Sequence, residues 1–132
     1  MQVNFYQSRP IYEQIIDEIK KMLVRKELHP GDQLPSQREL AQQINVNPNT
    51  IQRAYREMEI TGLAESRRGL GTFIVSEPDL IKDLKEEMAQ LATRNFISEM
   101  KSLGFEAEEI EKWVKQNQGI NKQKAPGGEG NE

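Results

Sequence analysis

Apolar positions repeat every three to four residues through most of the chain, and this spacing predicts a mainly helical protein. Ile11, Ile15, Ile19, Met22 and Leu23 form the first stripe, broadened by Tyr12, Ile16 and Val24. Glu13, Asp17, Lys20 and Lys21 cover its wet side. The expected helix opens at Ser8 or Arg9 with Pro10 in its first turn and ends near Glu27. Residues 2–7 are short and mixed, and LHPGDQLP reads as a turn-rich link broken by Pro30-Gly31. Two further helices are expected at about 36–44 and 48–61, closed by Gly62 as a left-handed cap. The period then changes. Leu63–Ser66 and Thr72–Val75 read as short strands, the second rich in the β-branched residues that strands favour. Helical spacing returns from Asp79 to about Leu103, where Gly104 stops it, and again from about Ala107 to Asn117, with Gly119 as its end.

The stretch from Pro35 to Gly62 carries the clearest local chemistry. Ser36 followed by Glu39 is a capping box, and Asn47 followed by Pro48 marks a second helix start. Between them, Asn45 can take the left-handed conformation that a sharp turn requires. The second of these helices divides into two faces. Ile51, Ala54, Tyr55 and Met58 form an apolar stripe that must pack on something, whereas Asn49, Gln52, Arg53 and Arg56 share another face. Amides match adenine bidentately and arginine matches guanine, so this face suits base reading by a helix-turn-helix. An ordinary solvated helix face is the bland alternative.

Between the two strands lies Arg67-Arg68-Gly69-Leu70-Gly71, whose glycines suit a hairpin tip and whose arginines make it cationic. Helix, helix-turn-helix and β-hairpin is the order of a winged helix, and a basic tip suits the narrow, strongly negative minor groove. A hairpin that is merely solvated is the competing reading. Gly-x-Gly here is no dinucleotide fingerprint, because no helix follows it.

The segments PGDQLPSQRELA, NVNPNTIQRAYREME and RRGLGTF make the resemblance specific. Residues 9–76 closely resemble the DNA-binding domain of the GntR family of bacterial transcription regulators. The NPNT at the start of the reading helix and the short acidic remainder resemble the YtrA-type subfamily. This resemblance implies that Arg38 reaches a guanine from the helix before the reading helix. It places Asn47, Asn49 and Thr50 in the turn used for phosphate and base contacts, with Gln52 and Arg53 one turn on and Arg68 and Gly69 at the wing tip. Ser36, Arg56 and Arg67 complete the expected DNA-contacting set. Other branches often carry arginines where this chain has Pro48 and Gln52, so adenine contacts are expected to matter more here.

The expected organisation is a winged helix-turn-helix domain over residues 1–76, a two-helix region over 77–117 and a disordered tail over 118–132. The fold class is mostly α with a small β-hairpin. An αα-hairpin of about 40 residues cannot bury both sides of its stripe alone. Leu84, Met88, Leu91, Phe96, Met100, Ile110 and Trp113 are therefore expected at a homodimer interface, unless the stripe packs on its own winged helix. A dimer would carry two reading helices and call for a palindromic operator in double-stranded DNA. The polar, glycine-rich 118–132 has little to bury.

Composition narrows the class. With no cysteine there is no disulfide and no thiol chemistry, and the lone His29 in a turn reads as plain surface. No metal, cofactor or catalytic constellation is expected; Glu108 and Glu109 are adjacent and so diverge. No apolar run approaches the roughly 18 residues of a membrane span, and no signal core opens the chain, so a cytoplasmic protein is expected. The net charge of −3 runs against DNA binding until it is divided. Residues 1–76 carry 10 Lys+Arg against 9 Asp+Glu, and residues 77–132 carry 8 against 12. Local clustering of cations is what matters to DNA. The expected function is a homodimeric repressor, with an ABC transporter operon as the target that the subfamily resemblance implies. Two alternatives stand beside it: a regulator switched by a small-molecule effector between the tail helices, and a winged-helix adaptor for protein contacts. The sign of regulation depends on where the operator lies.

Overall fold

The computed structural model describes residues 1–6 and 8–124, with side chains as far as Gly119. Helices α1 (Ile11–Val24), α2 (Gln37–Ile44) and α3 (Pro48–Ile60) precede a hairpin of β1 (Ala64–Arg67) and β2 (Gly71–Ile74). Helices α4 (Leu80–Ser102) and α5 (Ala107–Lys124) follow. The chain divides into two compact units, Met1–Glu86 and Glu87–Glu132.

The first unit is a winged helix around one core. Ile15, Ile19 and Leu23 of α1 meet Leu40 and Ala41 of α2, and the whole apolar stripe of α3 joins them. Leu34, Leu63 and Ile74 close the core from the hairpin side. Leu84 is buried in the same core and Leu80 and Ile81 pack against it, so the unit runs ten residues past the expected boundary at 76. Period-3.6 spacing in α4 did not reveal that its first turns serve a different core from the rest.

Both ends of α1 differ from expectation. Pro10 stands outside the helix with an extended ψ of 142°, and Ile11 is the first helical residue. The buried Gln14 explains this: its side chain accepts from Tyr6 N and donates to the carbonyls of Tyr6 and Arg9. Those groups are thereby fixed outside any helix. At the other end Lys26 adopts a left-handed φ of 63°, with Glu27 N and Leu28 N both directed to Met22 O, and the helix stops at Val24 rather than near Glu27. Leu28 is thus turned back to pack against the core.

The link before α2 is also more than a turn. Gly31 N donates to Ile74 O, Ile74 N to Asp32 O and Leu34 N to Thr72 O, so residues 31–34 run along β2 opposite to β1. In the hairpin Ala64 faces Ile74 and Arg67 faces Gly71, leaving Arg68, Gly69 and Leu70 as the loop. His29 is exposed in the link, its Nδ1 3.4 Å from Asp32 Oδ2.

The second unit is an αα-hairpin. Gly104, at a φ of 92°, ends α4 as expected, with Phe105 N donating to Met100 O. Phe105 meets Trp113 edge to face, with ring centroids 6.3 Å apart. Gly119 does not end α5, which continues to Lys124; the rest of the expected disordered tail, 125–132, lies outside the described residues. One helical glycine costs only about 1 kcal/mol, which neighbouring turns can absorb.

Tyr55 joins the core to the polypeptide of the turn before α2: it is 1% exposed and its hydroxyl donates to Pro35 O at 2.7 Å. Burial, reinforced by Glu39, pushes its hydroxyl pKa up, so the folded state holds this proton more tightly than the unfolded chain. Tyr55→Phe is expected to lower the unfolding free energy by about 1–2 kcal/mol in urea at neutral pH, because the carbonyl loses its partner. The stability that this proton confers is complete below the ordinary tyrosine pKa of about 10 and fades as pH rises above it. The gap between wild type and Tyr55→Phe should therefore narrow in alkaline urea titrations.

Candidate nucleic-acid interface

The helix-turn-helix is built by local chemistry at each of its corners. Ser36 Oγ accepts from Glu39 N at 3.1 Å while Glu39 Oε1 accepts from Ser36 N at 2.9 Å, the reciprocal capping box. Asn45 ends α2 with a φ of 57° and an N–H to Ala41 O. Asn47 Oδ1 then accepts from Asn49 N at 2.8 Å, and Pro48 begins α3. These contacts fix where α3 starts and which of its faces turns inward.

Ile51, Ala54, Tyr55 and Met58 are all buried, and Asn49, Gln52, Arg53 and Arg56 are all exposed. Thr50 lies half-buried at the edge of the exposed face. On α2, Arg38 is exposed in the first turn, beside the Ser36 cap. The hydroxyl of Ser36 and the carboxamide oxygen of Asn47 are committed to capping, which leaves the hydroxyl proton and the Asn47 amide nitrogen for an incoming ligand.

Ion pairing separates the arginines into two groups. Arg9 pairs with Asp17 and Glu13, Arg25 with Glu18 and Glu27, and Arg67 with Glu65. Arg38, Arg53, Arg56, Arg68 and Arg94 make no ion pair among the described residues. A phosphate approaching them would meet cations that are not already neutralised.

At the wing, the two arginines are expected at the base of the hairpin tip, between the strands; Arg67 is the last residue of β1 and Arg68 the first of the loop. The Arg67 guanidinium lies 4.1 Å from the centre of the Phe73 ring and its Nε is 3.0 Å from Glu65 Oε2. Arg68 and Gly69 occupy the tip, Gly69 at a φ of 76°. The tip is tied to the helix-turn-helix by Gln33, whose Nε2 donates to Leu70 O at 2.6 Å. Nothing local in the sequence marked Gln33, because its partner is 37 residues away. Gly71 leaves room for it: a Cβ there would come within 2.8 Å of Gln33 Nε2.

Among the described residues no group of three or more His, Cys, Asp or Glu could hold a metal ion, and no helix is long and apolar enough to cross a membrane. In the second unit, Ile110 is buried and Met88 and Met100 are half-buried. Leu91, Phe96 and Trp113 stay exposed at 51%, 40% and 46%. Leu84, expected with them, lies in the winged-helix core instead. An open apolar groove of about 780 Å³ runs between α4 and α5, lined by Phe96, Ile97, Ile110 and Val114 among others.

A winged helix whose third helix turns amides and arginines outward defines a DNA-binding transcription regulator. The chain belongs to the gntR family of bacterial regulatory proteins, whose family model matches residues 11–74. It is 50% identical over 115 residues to the HTH-type transcriptional regulator YhcF of Bacillus subtilis, covering 87% of this chain and 95% of the relative. It is 38% identical over 122 residues to the HTH-type transcriptional repressor YtrA of the same organism, covering 88% and 90%. Among solved structures, a GntR family transcriptional regulator from Listeria monocytogenes superposes with a TM-score of 0.77 at 44% identity, covering 85% of this chain and 98% of that one. The DNA-binding domain of AraR in complex with operator ORX1 superposes with a TM-score of 0.51 at 29% identity, covering 57% and 95%.

Gly71 sits at a φ of 118°, where side chains other than glycine's are strained. Gly71→Ala is expected to lower stability by about 1–3 kcal/mol in urea denaturation, through that φ and the displaced Gln33 carboxamide. Unchanged stability would show that the wing tip adapts without its Gln33 tie.

Proposed function

We propose that this chain is a homodimeric transcription repressor that occupies a palindromic operator. The observation that carries the reading is the outward face of α3, where Asn49, Gln52 and Arg56 stand exposed while the opposite stripe is fully buried. Two such helices enter successive major grooves, Arg38 adds a guanine contact from α2, and Arg68 with Gly69 brings the wing tip to the minor groove. Occupancy of the operator then blocks polymerase sterically. Binding, with no chemical step, accounts for the whole activity, and the protein acts where the bacterial chromosome lies, in the cytoplasm.

Dimerisation through the second unit is supported by the exposed Leu91, Phe96, Trp113 and Val114 flanking an apolar groove, a surface that costs free energy while it faces water. A second copy of the same hairpin is the economical cover. The repressor assignment is supported by the name of the Bacillus subtilis relative YtrA, and operator binding by the AraR complex. Control of an ABC transporter operon rests on the subfamily resemblance alone.

Selection of bound sequences from a random DNA pool tests the reading. A palindromic motif with two spaced half-sites is the expected outcome; no enriched motif, with binding that only fades with salt, would overturn it. On the selected operator, Arg38→Ala is expected to weaken binding by roughly 1–3 kcal/mol and relax one base pair. Trp113→Glu should shift the protein from dimer to monomer in analytical ultracentrifugation and reduce operator affinity. A residues 1–86 fragment, which keeps Leu80, Ile81 and Leu84 on their core, should behave as a folded monomer; a tight dimer of that fragment would refute the interface assignment.

A further inference from the structure

Arg53 is held differently from the other polar residues on the outer face of α3. Its guanidinium carbon lies 4.1 Å from the centre of the Tyr12 ring on α1, and its Nη2 is 3.5 Å from the Tyr12 hydroxyl. Tyr12 is itself fixed. It packs against the core, and its hydroxyl lies 3.4 Å from Glu13 Oε2, to which it donates. Glu13 in turn pairs with Arg9, which also pairs with Asp17. The side chains of Asn49, Gln52 and Arg56 have no such partner among the described residues.

The ring contact and the long bond from Nη2 to the Tyr12 hydroxyl engage one side of the guanidinium and leave its remaining N–H groups, enough for a bidentate contact, to meet a phosphate. Reading a base edge would require Arg53 to extend away from α1 and give up the ring. Glu13, the carboxylate in contact with Tyr12, is itself paired with Arg9, which weakens its repulsion of a phosphate at this place.

We propose that Arg53 and Tyr12 form a phosphate clamp on the DNA backbone, with Tyr12 as the positioning residue, and that base reading on α3 falls to Asn49 and Gln52. This replaces the base-edge role that residue type alone suggests for Arg53, and it rests on the DNA-binding reading above.

The test uses the full chain on the selected operator and on a panel of its single-base variants, with affinity followed against salt. Arg53→Ala should weaken binding by one common factor across the panel and lower the log–log salt slope by about 1 per protomer. Tyr12→Leu, which keeps an apolar side chain on the core, should weaken binding roughly two- to fivefold, the scale of an exposed cation–π contact. Tyr12→Phe should stay near wild type, and Tyr12→Leu should add nothing in an Arg53→Ala background. Circular dichroism and melting temperature confirm that each variant is folded. A changed preference at one base pair with an unchanged salt slope in Arg53→Ala would overturn the clamp. So would a Tyr12→Leu effect of equal size with and without Arg53. Should wild type show no sequence preference at all, the operator reading falls, yet the salt slopes on that same duplex still decide the clamp.

Discussion

Everything on the DNA-facing side depends on the burial of one stripe of α3. Ile51, Ala54, Tyr55 and Met58 leave water completely, and burial on that scale stabilises by several kcal/mol. A helix held so firmly by one side cannot roll, so its opposite side is presented in a single orientation. The Tyr55 hydroxyl adds direction to this non-directional force, because its bond to Pro35 O fixes the height of α3 against the start of α2. Arg38 and Gln52 are thereby placed relative to each other by a core contact that neither makes.

The wing follows from the same constraint at one remove. Leu34 and Ile74 belong to the core, and the strand-like run 31–34 that carries Leu34 also pairs with β2. A hairpin of two four-residue strands is marginal alone, and a third segment along its edge changes that. Gln33 then reaches from this segment to Leu70 O, so the position of the tip is set from the helix-turn-helix side. Recognition helix and wing are one rigid object for reasons that lie beneath both.

Features whose cause lies within a few residues were legible in the sequence. The Ser36–Glu39 box, the Asn47-Pro48 start, the left-handed Asn45 and Gly62, the stop at Gly104 and the two faces of α3 all appear as read. Each rests on the residue's own type or on a relation within about four positions that spacing exposes. What escaped reading depends on partners far along the chain or on a residue acting against its type. Gln33 and Leu70 are 37 positions apart, Arg53 and Tyr12 are 41 apart, and Lys26 takes a left-handed conformation that lysine seldom adopts. Gln14 is a polar residue among helix-forming neighbours with nothing local to mark it, yet it is buried and organises the chain ahead of α1. The same limit applies to α4, whose uniform periodicity hides a change of partner after its first turns.

Charge finally explains why a protein of net charge −3 can be built for a polyanion. Arg9, Arg25 and Arg67 are spent on neighbouring carboxylates, and such exposed pairs contribute little to stability. Of the arginines with no ion pair among the described residues, Arg38, Arg53, Arg56 and Arg68 stand on α2, α3 and the wing tip, the three elements a winged helix brings to DNA, and Arg94 stands on α4. So few cations per protomer give a shallow non-specific attraction. The apolar surface of the second unit and the sparse charge of the first both fit the proposed arrangement of two copies acting on one site.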